Sequence, residues 1–235
     1  MNTHGKRVLI TGAAGGLGTA TMAALVEKGC KVVGIDKVAS ARFEAETIVA
    51  DLTDEAQTKD AVAAAIERLG GLDVLINNAG VFIPKRFTEY TTEDFATLVS
   101  TTLAGFLYVS QLAVKQMLRQ KSGSIINVST TLVDQPIAGV GAAVQIMLKG
   151  ALNAVTRALA IEYAKDGIRV NTIAPGVINT PMHKPETHDF LKGLHPVGRI
   201  GEVKEVVDAA LFLTEATFTS GEILHVDGGA HAGKW

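Results

Sequence analysis

The run Thr11-Gly12-Ala13-Ala14-Gly15-Gly16-Leu17-Gly18 follows the apolar residues Val8-Leu9-Ile10 and opens a helical pattern that reaches about Lys28. A glycine-rich turn at the start of a helix presents bare backbone N–H groups and the positive end of the helix dipole, which suits a pyrophosphate. Asp36 closes the next apolar run, Lys31-Val32-Val33-Gly34-Ile35, eighteen residues after Gly18. A carboxylate there can accept hydrogen bonds from the ribose hydroxyls of an adenosine. An isolated glycine pattern would be an ordinary surface turn. Strand, turn, helix, strand and acid in this order read as a dinucleotide site.

Other reactive residue types are sparse. Cys30 is the only cysteine and lies between a helix and a strand, so no internal disulfide framework exists and a reducing, cytoplasmic setting is expected. His183, His188 and His195 lack the spacing of a zinc site, and no metal is expected. One of them could offer a proton to a substrate. In a loop of this composition, solvation is the commoner fate.

The elements that must hold these groups follow from periodicity. Short apolar strands at Thr47 to Ala50, Leu72 to Ile76, Ser124 to Val128, Arg169 to Ile173 and Ile223 to Val226 alternate with helical stretches at Asp54 to Leu69, Thr92 to Gln120 and Ala142 to Tyr163. That alternation is the βαβ rhythm of a parallel sheet, here of about seven strands with helices on both faces. A length of 235 residues fits one α/β domain, residues 1–235. The segment Pro175 to Gly201 carries four of the six prolines and three of the six histidines, and it reads as irregular. A substrate lid over residues 180–200 is expected.

Composition narrows the partners. Apolar residues make up 47% and the net charge is −2, so a sizeable core is available and nothing in the charge balance favours nucleic acid or an anionic membrane. The N-terminus has no apolar signal core, and no stretch approaches eighteen uninterrupted apolar residues.

Over essentially its whole length the chain resembles the short-chain dehydrogenase/reductase family. The resemblance rests on the glycine run, Asp51-Leu52, Asn77-Asn78-Ala79-Gly80, Gly123 to Ser129, Lys149, and Asn171-Thr172-Ile173-Ala174-Pro175-Gly176. It implies a doubly wound, single-domain α/β fold with a Rossmann-type sheet, a nicotinamide cofactor, and hydride exchange with a carbonyl or alcohol. It also implies who holds the cofactor: Gly12, Ala14, Gly15, Gly16, Leu17 and Gly18 at the pyrophosphate, Asp36 at the adenosine ribose, and Asp51 and Leu52 at the adenine. Asn78, Ala79, Gly80 and Lys149 would back the nicotinamide riboside, and Pro175, Gly176, Ile178 and Thr180 would close over the ring. The acid at Asp36 would repel a 2′-phosphate, so NAD is expected in preference to NADP, although Lys37 and Arg42 stand nearby.

The catalytic signature departs from that family. The resemblance places a tyrosine four residues before Lys149, one helical turn away, and position 145 is Gln. Thr130 falls at the substrate-polarising serine, with Ser129 and Thr131 as alternative registers, and Thr102 falls where an asparagine would hold a relay water. Only Lys149 matches. A glutamine amide can orient a substrate but cannot yield or recover a proton near neutral pH, so another donor is needed. Lys149 could serve if burial lowered its pKa; its plainer role is to hold the ribose. Tyr108 and Tyr163 lie in helical stretches far from the substrate loops and read as packing residues.

Three functions remain open. The first is an NAD-dependent oxidoreductase acting on a small carbonyl or alcohol through an atypical relay; the short region between Asp36 and Thr47 also resembles compact members of the family, including some diol dehydrogenases. The second is a catalytically impaired, dinucleotide-binding regulator or structural subunit. The third is hydration or isomerisation with a structural cofactor, for which the sequence has no positive mark. Val133, Ile137, Val140, Met182, Phe190 and Leu191 suggest partly apolar pocket walls. The apolar faces of the helices at Thr101 to Gln120 and Ala142 to Tyr163, with Trp235 as an anchor, suggest a homodimer or homotetramer.

Overall fold

The computed structural model describes residues 3–183 and 185–233. Its strands are β1 (Arg7–Thr11), β2 (Lys31–Asp36), β3 (Thr47–Val49), β4 (Val74–Asn77), β5 (Gly123–Val128), β6 (Ile168–Pro175), β7 (Ile178–Asn179), β8 (Gly201–Glu202) and β9 (Ile223–Val226). Seven of them build one sheet in the order β3-β2-β1-β4-β5-β6-β9, with every neighbouring pair parallel. Strand order reverses between β1 and β4. In open parallel sheets the crevice at such a switch point, beyond the carboxyl ends of the strands, is where ligands bind.

The helices are α1 (Gly16–Glu27), α2 (Glu55–Leu69), α3 (Thr92–Val99), α4 (Gly105–Gln120), α5 (Ala143–Glu162), α6 (His188–Lys192) and α7 (Val203–Glu215). Val62, Ala113, Met117 and Ala160 from α2, α4 and α5 pack one face of the sheet. Met22, Leu25, Val206 and Leu213 from α1 and α7 pack the other. Covered on both faces, the central strands are continuously apolar, and Val8, Leu9 and Ile10 are fully buried. The run Thr92–Gln120 is long and apolar enough by composition to cross a membrane, with a mean hydropathy of 1.4. Its Val109, Ala113 and Met117 nevertheless pack into the sheet's core.

Two departures from the sequence reading lie on the C-terminal side. Helix α7 was not anticipated, because it starts at a Glu202–Glu205 capping box in place of the Ser, Thr, Asp or Asn that usually marks a helix start. Its apolar spacing, Val203, Val206, Val207, Ala210 and Leu213, is nonetheless helical. Segment 180–200, expected to be irregular, contains α6 and is bracketed by the small parallel pair β7–β8. Trp235 lies outside the described residues.

Candidate active site

The glycine turn is built around two close approaches. Gly12 has φ +69°, and a Cβ there would lie 2.9 Å from the Ala79 Cα. A Cβ on Gly18 would collide with the Gly12 carbonyl oxygen, so α1 packs tightly onto the turn. Gly15 caps α1 without any side-chain hydrogen bond, and the first turn carries no acidic residue. No side chain therefore caps the helix start or competes there as an acid, which suits an anion at its N–H groups. The β1 and β4 ends are clamped together: the Thr11 hydroxyl accepts the N–H groups of Asn78 and Ala79, and the Asn78 side chain donates to the Thr11 and Gly12 carbonyls, all at 3.1 Å.

Asp36 stands at the end of β2 and faces this turn. Its Oδ2 accepts the Ala14 backbone N–H at 2.9 Å, while Oδ1 has only a long contact of 3.4 Å with the Val38 N–H. A cavity of about 350 Å³ runs from here past Lys37, Asp51, Leu52 and Thr53 to Gly80 and Val81. Asp51 accepts both the backbone N–H and the hydroxyl of Thr53, and these bonds hold its carboxyl below the usual range. Arg42 instead lies 5.3 Å over the Phe43 ring.

A second cavity, of about 330 Å³, begins at the same Gly80 and Val81 and is lined by Ser129, Thr130, Thr131, Gln145, Lys149, Gly176 and His195 among others. Gln145 and Lys149 lie one turn apart on α5, both buried. The Lys149 Nζ donates to the Val128 carbonyl at 2.6 Å, and burial pulls its pKa down to about 8. The Gln145 Nε2 donates to the Val81 carbonyl at 2.7 Å. The sequence reading had this amide free to donate to a substrate; its nearest donor is engaged by the main chain.

Geometry separates the three hydroxyl candidates. Ser129 donates to the Lys149 carbonyl at 3.2 Å, and Thr131 donates to Asp227 Oδ2 at 2.6 Å. Thr130 accepts the Leu132 N–H at 3.3 Å and so keeps its own proton for the cavity. Asp227 itself is desolvated, which raises its pKa, but the Thr131 hydroxyl and the N–H groups of His231 and Gly229 outweigh this and hold it below the usual range. The sequence held no signal for this Thr131–Asp227 bond across 96 residues.

The segment expected to form a lid packs onto the glycine turn at Thr180 and Pro181. A Cβ on Gly16 would lie 3.1 Å from Pro181 Cδ and 3.8 Å from Thr180 Cβ. Gly176 donates its N–H to the Val226 carbonyl, and a Cβ there would lie 2.6 Å from His195 Nε2. Both ring nitrogens of His195 are engaged: Nε2 accepts the Val177 N–H at 3.0 Å, so Nδ1 carries the proton that faces the Leu191 carbonyl at 3.2 Å. Burial lowers its pKa. His195 is thus a neutral strut. His183 lines the cavity with Nδ1 bound to the Ile178 carbonyl, and His188 bonds the His183 carbonyl through Nε2.

Some expected residues sit elsewhere. The Ile178 side chain is buried in the core beneath α1 and α7, leaving only its backbone for a ligand. Thr102 is buried in a π-helical turn, Ser100–Ala104, that joins α3 to α4, and its hydroxyl has no partner. It does not line the cavity that holds Lys149. Ile137, Val140, Met182 and Leu191 do line it, whereas Val133 packs near Gly150 and Phe190 is exposed. Among the described residues no tyrosine lines either cavity: Tyr90 donates to the Ile83 carbonyl, Tyr163 packs on the core, and Tyr108 is half-buried on α4.

Comparison with known proteins gives a consistent picture. A family model described as enoyl-(acyl carrier protein) reductase matches residues 12–231. The 2,5-dichloro-2,5-cyclohexadiene-1,4-diol dehydrogenase LinX of Sphingobium indicum is 35% identical over 245 residues, covering 97% of each chain. Among solved structures, the ligand-free aldohexose dehydrogenase of Thermoplasma acidophilum superposes with a TM-score of 0.91 at 28% identity, covering 99% of this chain and 96% of its own. ElxO with NADP bound superposes with a TM-score of 0.89 at 26% identity, covering 97% of this chain and 100% of its own.

Proposed function

The chain belongs to the short-chain dehydrogenase/reductase family, and on that premise we propose that it is an NAD(H)-dependent oxidoreductase of small carbonyls or alcohols with an atypical proton relay. The observation that carries this reading is the continuity of two cavities at Gly80 and Val81, one reaching Asp36 and the other holding Thr130, Gln145 and Lys149. The start of α1 at the glycine turn, with no side-chain cap, suits a pyrophosphate, and Asp36 Oδ1, which has only a long contact with the Val38 N–H, suits ribose hydroxyls. Bound there, a nicotinamide dinucleotide supplies the hydride exchange.

The chain's own residues then handle the oxygen and its proton. Thr130 donates a hydrogen bond to the reacting oxygen and keeps its proton, and Lys149 holds the ribose. In reduction the Lys149 ammonium also releases one proton toward the developing alkoxide and regains it from water; oxidation reverses the path. A group titrating near neutrality suits such an exchange, which a glutamine amide cannot perform. Gln145 orients. Asp36 favours NAD over NADP, in competition with Lys37 on the same cavity wall.

The second reading, a dinucleotide-binding regulator or structural subunit, is favoured by the lack of a tyrosine in either cavity among the described residues. A homodimer or homotetramer is part of the proposal in both cases, supported by the exposed apolar residues Leu107 and Leu118 on α4 and Met147 and Ile161 on α5. Fluorescence titration with NADH and NADPH, followed by carbonyl and alcohol panels, separates the two readings. Turnover supports the enzyme; binding with no turnover on any panel supports the regulator.

A further inference from the structure

Gln145 is a buried amide with one end satisfied. The atom 2.7 Å from the Val81 carbonyl must be the amide nitrogen, because two carbonyl oxygens cannot share a hydrogen bond, and this fixes the orientation of the group. Its Oε1 is left with no hydrogen-bond partner, in a residue only 3% exposed. A buried acceptor without a partner is costly and rare enough in a folded protein to call for a reason. Gln145 lines the cavity, so the partner within reach is an occupant of that cavity. The terminal torsion of glutamine is broad, which allows the oxygen to swing onto an occupant of the cavity that Gln145 lines.

The neighbouring groups define what that occupant presents. Thr130 and Lys149 are donors, and both suit the reacting oxygen, whether carbonyl or alkoxide. Gln145 Oε1 is an acceptor and would repel that same oxygen. It needs a second group on the substrate, one that donates. An ammonium is disfavoured beside the Lys149 charge, which leaves a hydroxyl. Gln145 and Lys149 are one turn apart on α5 and line one cavity, so the two oxygens they serve belong to one small substrate. Beyond this polar end the walls are apolar: Val81, Leu132, Ile137, Val140 and Leu194.

We propose that Gln145 is a specificity residue that accepts a hydrogen bond from a second hydroxyl close to the reacting carbon, so that the substrates are small hydroxy-ketones and diols with an apolar body. The assignment rests on the oxidoreductase reading for the words substrate and reacting carbon, while the hydrogen bond itself is a binding property. Reduction of a hydroxy-ketone takes one hydride from the dinucleotide and one proton from the relay, and the neighbouring hydroxyl is unchanged.

The test is calorimetric binding of three probes to the NADH-bound protein, in which an alcohol cannot be oxidised: trans-1,2-cyclohexanediol, trans-2-methoxycyclohexanol, which lacks the second donor, and cyclohexanol. The diol is expected to bind about tenfold tighter than either analogue, because a site built around a hydrogen bond discriminates against ligands that lack it. The preference is expected to vanish in Gln145→Met and to persist in Gln145→Glu, which keeps acceptor oxygens. Equal binding of the three probes by the unmodified protein overturns the proposal without reference to any variant. So does a preference that survives Gln145→Met. Diol-selective binding with no turnover on any carbonyl or alcohol panel supports the Gln145 assignment and sinks the oxidoreductase reading; oxidation of cyclohexanol and diol alike, with equal binding, does the reverse.

Discussion

The Asp36 carboxylate accepts the Ala14 backbone N–H at 2.9 Å, so the acid proposed to meet the ribose is fixed to the glycine turn proposed to meet the pyrophosphate. One oxygen is committed to the protein and the other is directed outward, where a 2′-phosphate would meet its charge at close range. Asp36→Ala is expected to weaken NADH by about tenfold or more, through loss of charged hydrogen bonds, and to weaken NADPH far less. Parallel fluorescence titrations of the two cofactors check this. NADPH binding tenfold tighter than NADH in the unmodified protein would show that Lys37, not Asp36, governs the choice.

Of the three hydroxyls at the end of β5, only Thr130 retains its proton for a ligand. Thr130→Ala is therefore expected to lower kcat/KM by about 100-fold, the usual cost of one donor to a developing oxyanion, with Thr130→Ser restoring most of it. Ser129→Ala removes a bond to the Lys149 carbonyl and is expected to act on thermal stability more than on rate. An equal loss of activity in both would show that the register of this loop differs in the complex.

Lys149 gives the relay its pH dependence. With its ammonium as the proposed acid in reduction, kcat/KM for carbonyl reduction is expected to fall as pH rises through about 8, while alcohol oxidation rises over the same range. The same burial destabilises the fold at neutral pH. With the folded pKa below the unfolded value of 10.5, stability is full above the unfolded pKa and declines as pH falls toward about 8. Lys149→Met is expected to abolish turnover and, by removing a buried charge, to stabilise the protein by on the order of 3 kcal/mol at pH 7. A rate profile flat from pH 6 to 10 would place the proton elsewhere.

How much of this was legible in the chain depended on whether the signal was local. The glycine turn, Asp36 and the central strands were readable because each is a short run with its own periodicity or backbone requirement. Helix α7 escaped for want of a conventional cap. The Gln145–Val81 bond spans 64 residues and leaves no pattern in sequence, so the orientation of the amide, and with it the polarity of the pocket, emerged only from the fold. For the same reason His195 read as a solvated loop histidine, with proton donation as the lesser alternative, whereas it is buried with both ring nitrogens on backbone groups.

That strut makes the lid acid-sensitive. His195 has a lowered pKa because it is buried, so its contribution is full above the unfolded value of 6.5 and is lost as pH falls through the folded value. Protonation turns Nε2 into a donor facing the Val177 N–H. Hydrogen exchange of the 177–195 segment, corrected for the intrinsic rate, is expected to accelerate on acidification below the ordinary histidine value of 6.5 and to lose that dependence in His195→Phe. No change in the unmodified protein would mean that the lid is anchored by other contacts.

The central claim, hydride exchange in a cavity without a tyrosine, is tested most directly by isotope transfer. The protein is incubated with NADH carrying deuterium at nicotinamide C4, in separate preparations for the two faces, together with a panel of small ketones that includes 2-hydroxycyclohexanone. The products are weighed by mass spectrometry. The account predicts an alcohol one mass unit heavier from one labelled face only, and no label transfer in Lys149→Met. Tight NADH binding with no deuterium in any product would contradict it.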